Sequence, residues 1–259
     1  MRDWRAMTQV EIRDYFQDLG RKIRNLAADL GRHHYALPLA HGVWQAMHCG
    51  YDRLAAVELG VLAGEGLLSL CKAAQFFREE FGLDIQVYGF DSGNGLSALT
   101  GDHRDHPELF YAGEFPMPDQ DALRASLPAW CELIIGDVGE TIPAFLQHLE
   151  DRHLAFAAFD LDLYSSTVRA LPLLAGAPEL YLPAVPLYFD DTNGGISQCD
   201  WAGERLAALE FNEAHALRKI SWPLESRFQI RNFFVLQVLD HPIRQGKVKP
   251  RFGFQLGPI

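Results

Sequence analysis

VELGVLAGEGLLSL, residues 57–70, decides the fold. A strand-like apolar run breaks into Gly60, Gly64 and Gly66, then passes into the amphipathic segment LLSLCKAAQFFREEFG at 67–82. Glycines between a strand and a helix let backbone approach a ligand, and the helix N-terminus favours negative charge there. Outward from this unit the same alternation repeats. Short apolar runs lie at AAVEL (55–59), IQVYGF (85–90), ELIIG (132–136), LAFAAFDL (154–161), VPLYF (185–189) and FFVLQVL (233–239). Between most of them lie amphipathic stretches: TIPAFLQHLED, TVRALPLLAG and WAGERLAALEFNEAHAL. Strand alternating with helix predicts an α/β domain with a mostly parallel, doubly wound, Rossmann-like sheet covered on both faces.

Before the first strand, Ile12, Phe16, Leu19, Ile23, Leu26, Ala27 and Leu30 recur at helical spacing from Val10 to Leu30, and Gly31 gives a stop signal. The following HHYALPLAHGVWQAMHCG is aromatic and histidine-rich and gives no clear element. The expected organisation is an N-terminal helical extension (1–50), one α/β domain (51–242) and a basic tail (243–259) to which no function is assigned. Residues 92–128 are far longer than the usual ~2–6-residue connection of an α/β unit, so this insertion is expected to act as a lid or binding loop.

Composition narrows the classes. Against 23 Lys+Arg stand 34 Asp+Glu, a formal charge of −11, which argues against a phosphate-tracking nucleic-acid binder. Cys49, Cys71, Cys131 and Cys199 lie far apart without a C-x-x-C pair, giving neither a zinc site nor a disulfide framework. No run approaches the ~18–20 apolar residues of a membrane span, and the charged N-terminal stretch lacks a signal-peptide core. A cytoplasmic protein without membrane or nucleic-acid partners is expected, and a homo-oligomer stays open.

In an open parallel sheet, ligands bind at the carboxyl ends of the strands. Five consecutive strands end in or just before a carboxylate: Glu58, Asp91, Asp137, the pair Asp160 and Asp162, and the pair Asp190 and Asp191. Any one of these could simply cap a helix. All five together predict a shared pocket. The order E-L-G-x-x-x-G-x-G differs from the G-x-G-x-x-G that holds a pyrophosphate. An acid two positions before the first glycine suits an ammonium group, so the expected ligand has an amino-acid end and a ribose end.

VELGVLAGEGLLSL followed by VYGFDSGNGL resembles the first two motifs of class I S-adenosylmethionine-dependent methyltransferases. IIGDVGETIP, FDLDLYSSTVRAL and YFDD resemble the macrocin O-methyltransferase (TylF-type) group, which methylates sugar hydroxyls with a magnesium ion. The resemblance runs from about Ala55 to Asp191. It implies that Glu58, Gly60 and Gly64 line the methionine end of the cofactor. Asp91, with Ser92 beside it, would meet the ribose, and Asp137 would approach the adenine amino group. Asp160, Asp190 and Asp191 would bind magnesium or another hard divalent cation. The sequence departs from the family in APELYLPAVPLYFDD, where a glycine-rich turn is usual, and in Thr192-Asn193 after the paired aspartates.

The charges point to a cation independently, because clustered carboxylates need one, or raised pKa values, to coexist. All-oxygen ligation suits magnesium, calcium or manganese. If the fourth strand extended to Asp162, that side chain would share a side with Asp160 and could replace it as ligand. The expected chemistry is in-line methyl transfer to a hydroxyl of a small molecule, a sugar or diol-like acceptor, with Asp160 or one of the histidines as base. Two alternatives use the same sheet: a nicotinamide-dependent oxidoreductase or epimerase, and a non-catalytic cofactor-binding protein. His103 and His106 form an H-x-x-H in the insertion without an evident third ligand. His33, His34, His41 and His48 precede the first strand, and Tyr35, Trp44 and Tyr111 are candidates for an acceptor wall.

Overall fold

The most apolar runs of the sequence, LAAVEL and LAFAAF, are buried almost throughout. Strands buried on both faces belong at the centre of a parallel sheet, where helices cover each side. The computed structural model describes residues 3–28, 31–99, 101–149, 151–192, 198–221 and 232–252. Its elements in chain order are α1 (Gln9–Ala28), α2 (Ala36–Cys49), β1 (Arg53–Leu59), α3 (Glu65–Phe81), β2 (Asp84–Asp91), α4 (Gln120–Ser126) and β3 (Cys131–Ile135). There follow α5 (Val138–His148), β4 (His153–Phe159), α6 (Tyr164–Ala170), β5 (Ala184–Phe189), α7 (Gly203–Ala214), β6 (Arg218–Ser221) and β7 (Phe233–Val238).

The sheet order is β3-β2-β1-β4-β5-β7-β6. Strands β1 to β5 run parallel, and β7 is antiparallel to both β5 and β6. Strand order reverses between β1 and β4, which puts the ligand crevice above that pair. In register, Leu59 lies beside Phe90 and Phe159, Phe159 beside Phe189, and Asp91 beside Ile135. The five carboxylate-bearing ends therefore come out along one edge.

The first helix starts one residue before the expected Val10 and has a reason to start there. Thr8 and Glu11 form a capping box: the Glu11 amide donates to Thr8 Oγ1 at 3.3 Å, and the Thr8 amide to Glu11 Oε2 at 2.7 Å. Its expected end at Leu30 lies outside the described residues, as does Asn193. The unassigned histidine-rich segment is a 3₁₀ turn (His33–Tyr35) followed by α2, which covers β4 and β5. Pro38 sits in its first turn, where a missing N–H leaves no bond unmade. The basic tail is anchored up to Phe252. Arg251 donates to the carbonyls of Trp4 and Met7, each at 3.0 Å, and the Phe252 amide donates to His48 O at 3.1 Å. All four cysteines are free. Among the described residues, no helix is long and apolar enough to cross a membrane.

Candidate active site

Glu58 is the last but one residue of β1 and is 1 % exposed. Its carboxylate lies under the start of α3, where a Cβ on Gly66 would come within 1.8 Å of Oε1. Any side chain at 66 would expel it. Glu58 Oε2 and the Tyr35 hydroxyl make no well-formed hydrogen bond, though the hydroxyl stands beside the carboxyl. Burial holds the Glu58 carboxyl well above the usual carboxylate range, with the Tyr35 hydroxyl opposing the shift and the charge of Asp160 adding to it. A buried acceptor without a donor is costly unless a ligand supplies one. Gly60 has φ +88°, and a Cβ there would meet Asp160 O at 1.8 Å, so this glycine lets the ends of β1 and β4 close on each other.

At the tip of β2, Asp91 organises the loops around it. Oδ2 accepts the amides of Val61 at 2.9 Å and Leu62 at 3.0 Å, and Oδ1 accepts that of Gly93 at 2.7 Å. A carboxylate has about four acceptor positions, so three backbone bonds leave room for a ligand hydroxyl. Ser92 closes a turn, its Oγ donating to Gly95 O at 2.8 Å. Asp137 caps α5 through the Gly139 amide at 2.8 Å, and Arg169 grips both its oxygens at 2.6 Å. The capping role weighed for strand-end aspartates therefore holds at Asp137, with its carboxylate turned to Arg169.

Across the switch point the carboxylates face one another. Oxygens of Asp160, Asp190 and Asp191 lie within 4.8 Å of each other, the group of three metal-type donors found among the described residues. Asp162 is not in it. β4 ends at Phe159, and Asp162 takes a left-handed φ of +59°, so the side-sharing expected of an extended strand does not occur. Burial and then Asp190 push the Asp160 carboxyl up to about 7, with Arg32 opposing. Burial and then Asp191 push Asp162 up to about 8. Three hard oxygen donors under mutual repulsion fit a hard divalent cation.

A cavity of about 340 Å³ opens between these two groups. Its wall includes Glu58, Gly60, Asp91, Ser92, Asp137 and Asp160 among the predicted residues. Gly64, Asp190 and Asp191 are not on the wall. Gly64 caps α3 with φ +89° and packs against Leu123 of α4, while the two aspartates join the cavity through Asp160. The volume falls in the range of small-molecule sites.

Two residues without any motif complete the site. Arg32 spans Asp160 and Asp190, 2.9 and 3.3 Å away, and lines the cavity. Glu204, at the start of α7, is fully buried. Its two oxygens accept the amides of Leu161 and Asp191, both at 3.1 Å, so one side chain fixes both aspartate-bearing loops from behind. Asp190 is held by the Tyr188 hydroxyl at 2.5 Å and, through its carbonyl, by the Asn232 amide at 2.5 Å.

The insertion is docked onto the sheet-covering helices. Buried Asp105 accepts the Ser165 amide at 2.7 Å, and Arg104 donates to the Tyr164 hydroxyl at 2.8 Å. Leu96 and Phe115 from this segment reach the cavity wall. Its H-x-x-H divides, with the His103 side chain 89 % exposed and His106 paired to Glu108 at 3.0 Å. Of the earlier histidines, His34 stacks on Tyr188 and the His48 Nδ1–H donates to Trp44 O within the same helix. Tyr35, Trp44 and Tyr111 do not line the cavity.

No family model matches the sequence, and no curated protein matches it. Solved structures do match. The calicheamicin methyltransferase CalS11 aligns with a TM-score of 0.55 at 21 % identity, covering 92 % of this chain and 97 % of its own. The O-methyltransferase NovP aligns with a TM-score of 0.54 at 16 % identity, covering 83 % of this chain and 78 % of its own. Sheet order, switch-point cavity and these likenesses lead to one conclusion: the chain has the Rossmann-like fold of the class I methyltransferases.

Proposed function

We propose that this chain is an S-adenosylmethionine-dependent methyltransferase acting on a hydroxyl of a small molecule, with magnesium or another hard divalent cation at Asp160, Asp190 and Asp191. The observation that carries the reading is Glu58: a buried carboxylate whose Oε2 makes no well-formed hydrogen bond, on a cavity wall that also holds Asp91 and Asp160. An amino-acid ammonium supplies the missing donor, and a ribose hydroxyl takes the position left on Asp91. A pyrophosphate would meet repulsion at Glu58, which disfavours a nicotinamide cofactor. CalS11 is described as a calicheamicin methyltransferase and NovP as an O-methyltransferase, and the shared fold supports the same reaction class here. A sugar or diol-like acceptor of the TylF type fits a metal that two adjacent hydroxyls can chelate.

In this reading Glu58 and the glycine loop orient the methyl donor, while Asp91 fixes its distance from β4. Asp160 stands nearest the cavity of the three acidic ligands and takes the acceptor proton. When bound, the divalent ion lowers the pKa of the acceptor hydroxyl and orients it. Leu96 and Phe115 of the 92–128 insertion shield the cavity from water, the role of a lid. Residues 51–242 form the catalytic unit, with 1–50 as its N-terminal extension and 243–259 as its tail.

Isothermal titration with S-adenosylhomocysteine tests the cofactor. Saturable binding is expected, and no heat at millimolar ligand would overturn the assignment. NADH binding in its place would support the oxidoreductase reading. Methyl transfer undiminished in excess chelator would remove the metal while leaving the cofactor assignment intact.

A further inference from the structure

Arg32 stands between the first two helices, far in sequence from every acidic motif, yet it reaches the tips of two neighbouring strands. Nη2 lies 2.9 Å from Asp160 Oδ2 and Nη1 3.3 Å from Asp190 Oδ1, the fork of one guanidinium bridging two carboxylates. Its backbone is tied down as well, the Arg32 amide donating to Ser69 Oγ on α3 at 3.2 Å. The side chain is 31 % exposed, so the cation sits in the mouth of the site, with Glu58 and Tyr35 as further neighbours.

The two carboxylates that Arg32 bridges are members of the group of three whose oxygens converge within 4.8 Å. A guanidinium and a divalent ion thus draw on the same carboxylates, and the two cations repel. One positive charge also leaves three carboxylates undercompensated, so the cluster keeps its affinity for a stronger cation. An ordinary structural ion pair differs on both counts: it is one-to-one and has no competitor.

We propose that Arg32 is a built-in counter-cation that competes with the divalent ion for Asp160 and Asp190, so that metal enters by displacing the guanidinium. Without metal it holds the two strand tips together; with metal it is released toward the cavity. The proposal rests on the metal reading above and sets how strongly the chain depends on free divalent ion. By linkage, whatever the guanidinium gains from the cluster is subtracted from the metal affinity.

The experiment titrates the full chain with Mn²⁺, without cofactor or acceptor, and reads free Mn²⁺ by electron paramagnetic resonance. Arg32→Gln is expected to bind Mn²⁺ about tenfold more tightly than the wild type, the scale of an ordinary coupling between competing ligands. Its thermal midpoint should be lower without metal and should gain more from Mn²⁺. Arg32→Lys, which keeps the charge but loses the fork, should fall between the two and serves if the glutamine variant does not fold. Equal or weaker Mn²⁺ binding in Arg32→Gln overturns the competition and leaves the metal site standing. No Mn²⁺ binding to any of the three proteins overturns the metal reading and the competition with it.

Discussion

Two groups of aspartates stand on either side of the switch point, and they differ in what their oxygens face. On the β2 and β3 side, Asp91 and Asp137 point at backbone amides and Arg169, with six close contacts of 2.6 to 3.0 Å between Asp91 and Val61, Leu62 and Gly93 and between Asp137 and Gly139 and Arg169. On the β4 and β5 side, Asp160, Asp162, Asp190 and Asp191 crowd together around Arg32, and burial with neighbouring charge raises the carboxyls of Asp160, Asp162 and Asp191. The first group is a frame held by backbone amides and Arg169, with an acceptor position left on Asp91. The second is held in an unfavourable arrangement by Glu204, Tyr188 and Asn232, and it demands positive charge. Similar letters at the ends of similar strands thus stand in opposite surroundings, one group bonded to backbone amides and the other crowded with like charge.

Four variants sharpen or break that contrast. The largest effect is expected from Asp190→Ala combined with Asp191→Ala. Mn²⁺ affinity should fall well beyond the roughly 10–100-fold typical of losing a supporting partner, while S-adenosylhomocysteine affinity stays within about threefold. An equal loss in both titrations would erase the distinction between the two sides. Next, Asp91→Ala removes the acceptor of three backbone amides. It should lower unfolding stability by about 2 kcal/mol in denaturant titration and weaken S-adenosylhomocysteine at least about tenfold, leaving Mn²⁺ binding unchanged.

Glu204→Gln keeps size and burial but sets a donor against one of the two amides it now accepts. A loss of about 1–2 kcal/mol is expected, read as roughly tenfold weaker Mn²⁺ binding with cofactor affinity intact. Unchanged Mn²⁺ binding would show that the two loops hold their spacing without it. The smallest effect belongs to Asp137→Ala, which loses a helix cap and a half-exposed ion pair. Stability should drop by about 1 kcal/mol in thermal or denaturant unfolding, with little change in metal binding.

Much of the frame was legible in the sequence because it is local. Each parallel strand is a short apolar run that ends at a carboxylate, and Asp160, Asp190 and Asp191 converge because β4 and β5 are neighbours in register. Helix α2 was not legible because it is buried nearly all round, which erases the amphipathic period that marks a surface helix. The four-residue β6 (Arg218–Ser221) is too short to announce itself, and its antiparallel pairing with β7 is set by the sheet edge. The side Asp162 faces stayed open in the sequence because a left-handed backbone turn leaves no mark in the residue type. Arg32 and Glu204 were missed for a plainer reason. Arg32 acts across 128 residues to Asp160 and Glu204 across 43 to Leu161, and no spacing rule spans such a gap.

Those same distances bear on where this chain can be cut and rejoined. The stretch from Ala55 to Asp191 contains every recognisable motif, and a recombination scheme guided by motifs would place its crossovers just outside it. Such a chimera would inherit the aspartates but neither the arginine that restrains them in front nor the glutamate that anchors them behind. Breakpoints outside residues 32 and 204 would keep that support with the aspartates it serves.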